Sequence, residues 1–307
     1  MTKISICRTW CLTLIVAQAS VSFCSAQVQL DWKLPEGSCW RVEVAQSTLT
    51  ATQTGGRQNE ISMETAMELQ WVVDEVDADG SMHVTQTCRR FRLKSISPDA
   101  NEPIQYDSAS SREPAEELKP IAGLMRPLIG MRHHIVLSRR GEILNVVLPS
   151  ETESLLGDLP AMSRWKKMLT KDGINQVLRQ SLGVLPKSAV NIGDRWTSTQ
   201  RVDSPFGELS VETTYQYEGT RRRNARTLQY IRAVMKTTAV DEHATKSLAD
   251  RLRPEQQAVY YFDSAQACLA ESHLRQTVRS EVSYAGATIG VLSVGTVTLR
   301  VHQSEKE

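Results

Sequence analysis

The sequence has 307 residues, 36 basic and 35 acidic side chains, 40% hydrophobic residues and six cysteines. That composition excludes a disordered chain, and a net charge of +1 excludes a strongly basic nucleic-acid binder. No run beyond the first 30 residues is apolar for long enough to form a membrane helix, and no Cys or His pair falls at zinc-ligand spacing.

Residues 1–26 read as an export signal. Lys3 and Arg8 precede an apolar stretch over 10–23, and Cys24-Ser25-Ala26 puts small residues before Gln27. Cleavage there leaves 281 residues. Lys3 and Arg8 go with no acid, so 34 basic side chains face 35 acidic ones, for a net charge of −1. Cys39, Cys88 and Cys268 remain. Three cysteines allow at most one internal disulfide. Cys39–Cys88 is the pair to test, and three buried thiols are the alternative.

In chain order, Trp40, Val42 and Val44 alternate with Arg41, Glu43 and Ala45, which predicts a one-sided strand over 40–52. Gly55-Gly56 marks a turn. Strict alternation over 61–73 puts Ile61, Met63, Met67 and Trp71 on one face of a long strand that should twist. Asp77-Ala78-Asp79-Gly80 is a turn signature; it fits that better than half a calcium loop, because the distal Glu is absent. A partner strand follows over 82–94, with a bulge at Arg89-Arg90. Residues 97–113 read as a polar loop, and 114–129 as a short helix limited by Pro120 and Pro127. A hairpin occupies 131–137 and 142–148. Ser150 with Glu153 suggests a capping box opening a broken helical stretch that ends before Gly183.

After Pro186 the order of elements repeats. Gly193-Asp194-Arg195-Trp196 matches Gly37-Ser38-Cys39-Trp40. A strand over 208–218 carries Tyr215 and Tyr217 on one face. A turn at 222–225 leads to a strand over 227–238. A polar, helix-prone stretch spans 241–257, a hairpin occupies 259–262 and 269–279, and a last strand covers 289–301. The expected fold is α+β, mostly antiparallel: long curved strands in two pseudo-repeated halves, 27–149 and 187–307, joined by a helical connection over 150–186. Residues 27–307 would form one domain, with a curved or sandwich-like core.

Motifs of chemistry are sparse. There is no G-x-S-x-G, H-E-x-x-H, P-loop or G-x-G-x-x-G. Ser163-Arg164-Trp165-Lys166 fits S-x-x-K, without the other parts of that machinery. His133-His134 on a strand would point to opposite faces and could not share an ion. Arg221-Arg222-Arg223 reads as a solvated hairpin tip. No catalytic residue, metal or cofactor is expected. Met63, Met67, Trp71 and Tyr215 read either as core or as the lining of a concave apolar face that takes a lipid or other hydrophobic ligand; methionine suits such surfaces because it adapts its shape.

One resemblance covers nearly the whole chain after residue 26. It rests on the order of Leu34-Pro35-Glu36-Gly37 with Trp40, Trp71-Val72-Val73, Asp77 to Gly80, Tyr106-Asp107-Ser108, Ile129-Gly130, Arg140-Gly141-Glu142-Ile143, and Val190 with Gly193-Asp194 and Trp196. In that order the sequence resembles a family of uncharacterised secreted bacterial proteins, a domain of unknown function. The resemblance implies a periplasmic or exported protein rich in antiparallel strands, with no assigned catalytic residue. The functional expectation is an exported, non-enzymatic protein that binds a hydrophobic ligand or envelope component. The alternatives are a structural or interaction module of the cell envelope, and a hydrolase without a recognisable motif. Neither nucleic acid nor an integral membrane position is expected.

Overall fold

The computed structural model describes residues 27–98, 102–152, 170–204, 207–240, 253–284 and 287–304. The export signal, Ser163 to Lys166 and the helix-prone residues 241–252 lie outside them.

Among the described residues, twelve strands form one curved, open antiparallel sheet. They are β1 (Cys39–Thr54), β2 (Arg57–Val76), β3 (Met82–Ile96), β4 (Ile104–Asp107), β5 (Arg132–Leu137), β6 (Ile143–Val147), β7 (Arg195–Ser204), β8 (Gly207–Arg223), β9 (Arg226–Ala239), β10 (Arg253–Asp263), β11 (Cys268–Tyr284) and β12 (Ala287–Ser304). The spatial order is β6-β5-β3-β2-β1-β12-β11-β10-β9-β8-β7, with β4 beside β3. A single sheet thus replaces the sandwich-like option. Helix α1 (Lys119–Met125) follows a 3₁₀ turn, and helix α2 (Lys171–Leu182) joins the two runs of strands.

The strands form where alternation predicts them, and they run longer. β2 has 20 residues, about 66 Å at a strand's rise. The bulge falls at Arg89: Glu68 faces Arg90 and Leu69 faces Cys88, so Arg89 has no residue opposite it in the β2 register. The 77–80 turn closes with Gly80 N–H to the Asp77 carbonyl at 2.8 Å. His133 is buried and His134 exposed, as alternation requires. Two expectations are corrected. Residues 104–107, read as loop, pair with β3 beyond the bulge, where Tyr106 faces Leu93. Residues 253–257, read as helix-prone, belong to β10; partners on β11 override local propensity there.

α2 packs against β6, β11 and β12. In the sheet β6 lies six strands from β11, about 29 Å if flat, whereas a 12-residue helix is about 18 Å long. One helix reaches both because the sheet wraps around it. Thr170 caps α2 by accepting from the Gly173 N–H at 3.2 Å, and Gly183 ends it at φ +66°. A Cβ on Gly183 would sit 2.8 Å from the Tyr260 ring, so glycine is needed twice over.

The main core fills the inner face at the end of the sheet where β1 begins. Leu30, Trp32 and Leu34 of the N-terminal segment pack there with Leu178 and Leu182 of α2 and with Trp40, Trp71, Val84, Ile135, Phe262 and Leu299 of the sheet. The segment is tied to two hairpin turns: Trp32 N–H bonds the Arg139 carbonyl, and Lys33 N–H bonds the Ala267 carbonyl. The two G-x-x-W entrances make matching bonds. Gly37 N–H meets Val73 O and Val73 N–H meets Ser38 O; Gly193 N–H meets Tyr217 O and Tyr217 N–H meets Asp194 O.

Cys39 and Cys88 are free, buried thiols. Cys39 lies on β1 opposite Val72, and Cys88 lies on β3 opposite Leu69. With β2 between them they are about 9.6 Å apart laterally, beyond disulfide reach. Burial pushes the Cys88 thiol up to about 11 and Cys268 up to about 12.

Candidate functional site

The inner face continues past the main core. In register, Val44 faces Met67, Gln46 faces Thr65, Thr48 faces Met63 and Thr50 faces Ile61. On the other side of β1 these rows meet Leu299, Val297, Gly295 and Ser293 of β12. The alternation of side-chain direction carries on, but the inner-face residues of β1 change from Val42 and Val44 to Gln46, Thr48, Thr50 and Thr52, which are only half-buried, and Ile61 is 50% exposed. Gly295 leaves its row without a side chain opposite Thr48.

A second apolar cluster borders this surface. Leu118, Ala122, Met125 and Leu128, from α1 and its flanking turns, pack on Phe91 and Leu93 of β3, with Tyr106 of β4. Met63 and Met67 lie half-buried against the cluster, and Met67 also touches the main core. α1 is thus a short strap across the β2–β3 side of the inner face.

The four residues singled out from sequence fall in three settings. Met63 and Met67 sit together beside the strap. Trp71 is 0% exposed, and its Nε1 donates to Gln86 Oε1 at 2.8 Å. Tyr215 lies on β8, six strands from β2, stacked on Trp196 at 5.4 Å between ring centroids, with its hydroxyl accepting from the Val184 N–H. The structure brings the two methionines together and sets Trp71 and Tyr215 in the packed core. His133 faces the same interior; burial and then the neighbouring His134 push its pKa below the ordinary histidine value, which favours the uncharged ring.

The outer face is ionic. Glu68 meets Arg41 at 3.0 Å, Arg92 at 3.1 Å and Arg90 at 3.9 Å. Glu271 meets Arg300 at 2.9 Å, His273 at 3.1 Å and Arg223. Burial raises the Glu271 pKa, but the bonds from Arg223 and Arg300 outweigh it and hold the carboxyl below its ordinary value. Sequence reading missed both clusters, since their members come together only through strand register. A depression of about 1080 Å³ lies beside Arg92, between the outer face and the 102–115 segment; its charges, Lys94 and Arg112 with Glu64, Glu102 and Glu113 among them, are mixed in sign. Among the described residues, no group of three or more His, Cys, Asp or Glu could hold a metal ion, and no helix is long and apolar enough to cross a membrane.

Residues 79–227 match the model of a family of unknown function, DUF6263, in keeping with the resemblance to an uncharacterised family. No curated protein matches the chain. Among solved structures, the chain is similar to lipovitellin in a study of its lipid–protein interactions, at 11% identity and a TM-score of 0.50. The match covers 90% of this chain and 26% of that one, so this chain spans about a quarter of the lipovitellin chain. It also aligns with a putative exported protein of YmcC-like fold from Bacteroides fragilis, at 10% identity, TM-score 0.29, and 89% and 99% coverage. The hypothetical lipoprotein YmcC from Escherichia coli aligns at 10% identity, TM-score 0.25, and 91% and 92% coverage. The lipovitellin likeness is one of fold; the other two are too distant in shape to bear on this chain.

Proposed function

We propose that this chain is an exported, non-enzymatic protein that holds a hydrophobic, lipid-like molecule on the inner face of its curved sheet, between the far ends of β1, β2 and β12 and the α1 strap. The observation that carries this reading is the change along single strands. The same inner-face alternation is fully buried from Trp40 to Val44 and half-buried from Gln46 to Thr52. Met63 and Met67 line the transition, and Ile61 extends it toward solvent. An apolar ligand of modest size gains about 25 cal/mol for each square ångström it buries there. The fold likeness to lipovitellin, whose solved structure concerns lipid–protein interactions, supports the same reading. Export rests on Lys3, Arg8 and the apolar stretch ahead of Gln27. The matching hydrogen bonds at the two G-x-x-W entrances support descent from a duplication, with 27–307 as one domain.

Solvent extraction of the purified protein followed by mass spectrometry tests the binding. A lipid-like species should co-purify, and a fluorescent apolar probe should bind and be displaced by it. Met63→Glu should weaken probe binding at least tenfold while the far-ultraviolet spectrum is kept. An empty protein that binds no apolar probe, or a Met63→Glu variant that binds as well as the parent, defeats the reading. Export is tested by the mass of protein recovered from the cell envelope, which should begin at Gln27.

A further inference from the structure

The outer face gathers exposed arginines over more deeply buried carboxylates. Across the middle of the outer face, five arginines stand around two carboxylates: Arg41, Arg90 and Arg92 around Glu68, and Arg223 and Arg300 around Glu271. The carboxylates lie beneath and the guanidiniums on top. The Glu271 side chain is 7% exposed, whereas Arg41 is 52% exposed and Arg92 and Arg300 are 48% exposed. Two further acids take part: Glu43 meets Arg41, and Asp107 binds Arg90. A guanidinium has five donors in a rigid fork, so an Arg held from below by one carboxylate still offers an outward edge to a second anion. The buried acid orients the cation in advance, which lowers the ordering cost of binding.

We propose that this strip binds an extended acidic polysaccharide, one bearing carboxylate or sulfate groups along its length. This goes beyond ligand holding on the inner face and does not depend on it. Three observations select the partner. The strip runs from β3 through β2, β1 and β12 to β11, about 19 Å across strands of a sheet that wraps around α2, and Arg223 reaches it from β8 through Glu271. A flat bilayer meets such a curved surface along only a few strands, while a flexible chain can follow it. From β3 to β11 the strip lies in the middle of the sheet, where backbone groups are already paired in the β1–β12, β1–β2 and β11–β12 ladders and leave no edge for a peptide to extend; only Arg223 comes from the end of β8. Its uncharged neighbours on β1, β2 and β12 are small, Ala45 opposite Ala66 with Thr296 and Thr298, and Tyr261 is covered by the Arg223 guanidinium, so they offer little apolar surface to peptide side chains. The polymer's path runs from Arg92 toward Arg300 and Arg223, away from the acids Glu64, Glu102 and Glu113 of the neighbouring depression.

The test uses the purified protein and a fluorescently labelled heparin as probe, with fluorescence anisotropy read at low and at high salt. Binding should be clear at low salt and weaken at high salt, as charge pairing requires. The Arg41→Gln, Arg92→Gln, Arg300→Gln triple variant should lose at least tenfold in affinity. A control that removes equal charge elsewhere, Lys33→Gln with Arg57→Gln and Lys171→Gln, should lose less than twofold. Because Arg300 supports Glu271, an Arg41→Lys, Arg92→Lys pair provides a second variant that keeps charge and fold but loses the planar fork; it should bind severalfold more weakly. The proposal is overturned if heparin fails to bind, if both triple variants weaken equally, if the lysine pair binds like the parent, or if polyglutamate or anionic phospholipid vesicles bind as tightly as heparin.

Discussion

The two ends of one strand behave differently, and β1 shows it best. From Cys39 to Val44 its inner side chains belong to the main core together with the N-terminal segment and α2. From Ala45 to Thr54 no residue is fully buried, although the alternation and the pairing with β2 and β12 persist to the end. Pairing alone therefore does not require a filled interior. The ladder is held by backbone hydrogen bonds, while the core decides where the sheet is rigid. A strand of 16 residues can devote one half to stability and leave the other for contact with something else.

Substitutions at the two ends should separate these roles. The largest effect is expected from Trp71→Ala at the packed end, a loss of about 3–5 kcal/mol from the cavity and the orphaned Gln86, seen as a fall of roughly 10 °C in Tm. Gly183→Ala should cost about 2–3 kcal/mol, because its Cβ would press on Tyr260 from a left-handed backbone, measured by urea unfolding. Glu271→Gln should cost about 2 kcal/mol at neutral pH. Its sign with pH is fixed: a carboxyl whose folded pKa is lowered stabilises the fold at neutral pH, and that contribution disappears as pH falls through the folded value. The parent should therefore lose more stability on acidification than the variant, and unfolding curves at a series of pH values would show the two converging. Met63→Ala, at the half-buried end, should cost only about 1 kcal/mol yet weaken binding of an apolar probe. The smallest effect is that of a reductant: with Cys39 and Cys88 on strands separated by β2, dithiothreitol should leave Tm unchanged. A large loss at Met63, or none at Trp71, would erase the distinction between the ends.

Much of the sheet is legible in the sequence because period-two patterning is strong where one face is buried. Ile61 to Val73, the Arg89 bulge, the Asp77 turn and the opposed His133 and His134 follow from it. The four-residue strand at Ile104 is too short to show a period, and residues 253–257 carry helix-prone polar side chains that neighbouring strands overrule. The site is less legible. Met63 and Met67 share a period with Trp71, and no local feature tells a side chain under α1 from one under Trp32. Glu68 and Glu271 look like ordinary exposed strand acids; their arginines arrive from other strands through register, which one sequence does not encode locally.

The central seam of the sheet joins β1 to β12, over Cys39 to Thr54 against Ile289 to Ser304. Strands more than 230 residues apart in sequence meet there, so the two runs of the sheet cannot join until both have formed. Until the last strand arrives, β1 presents a long unpaired edge of the kind that recruits other chains. Pairings this distant in sequence make folding slow and expose intermediates to aggregation. Residues 27–149 produced without residues 287–304 are therefore expected to aggregate more readily than the full chain.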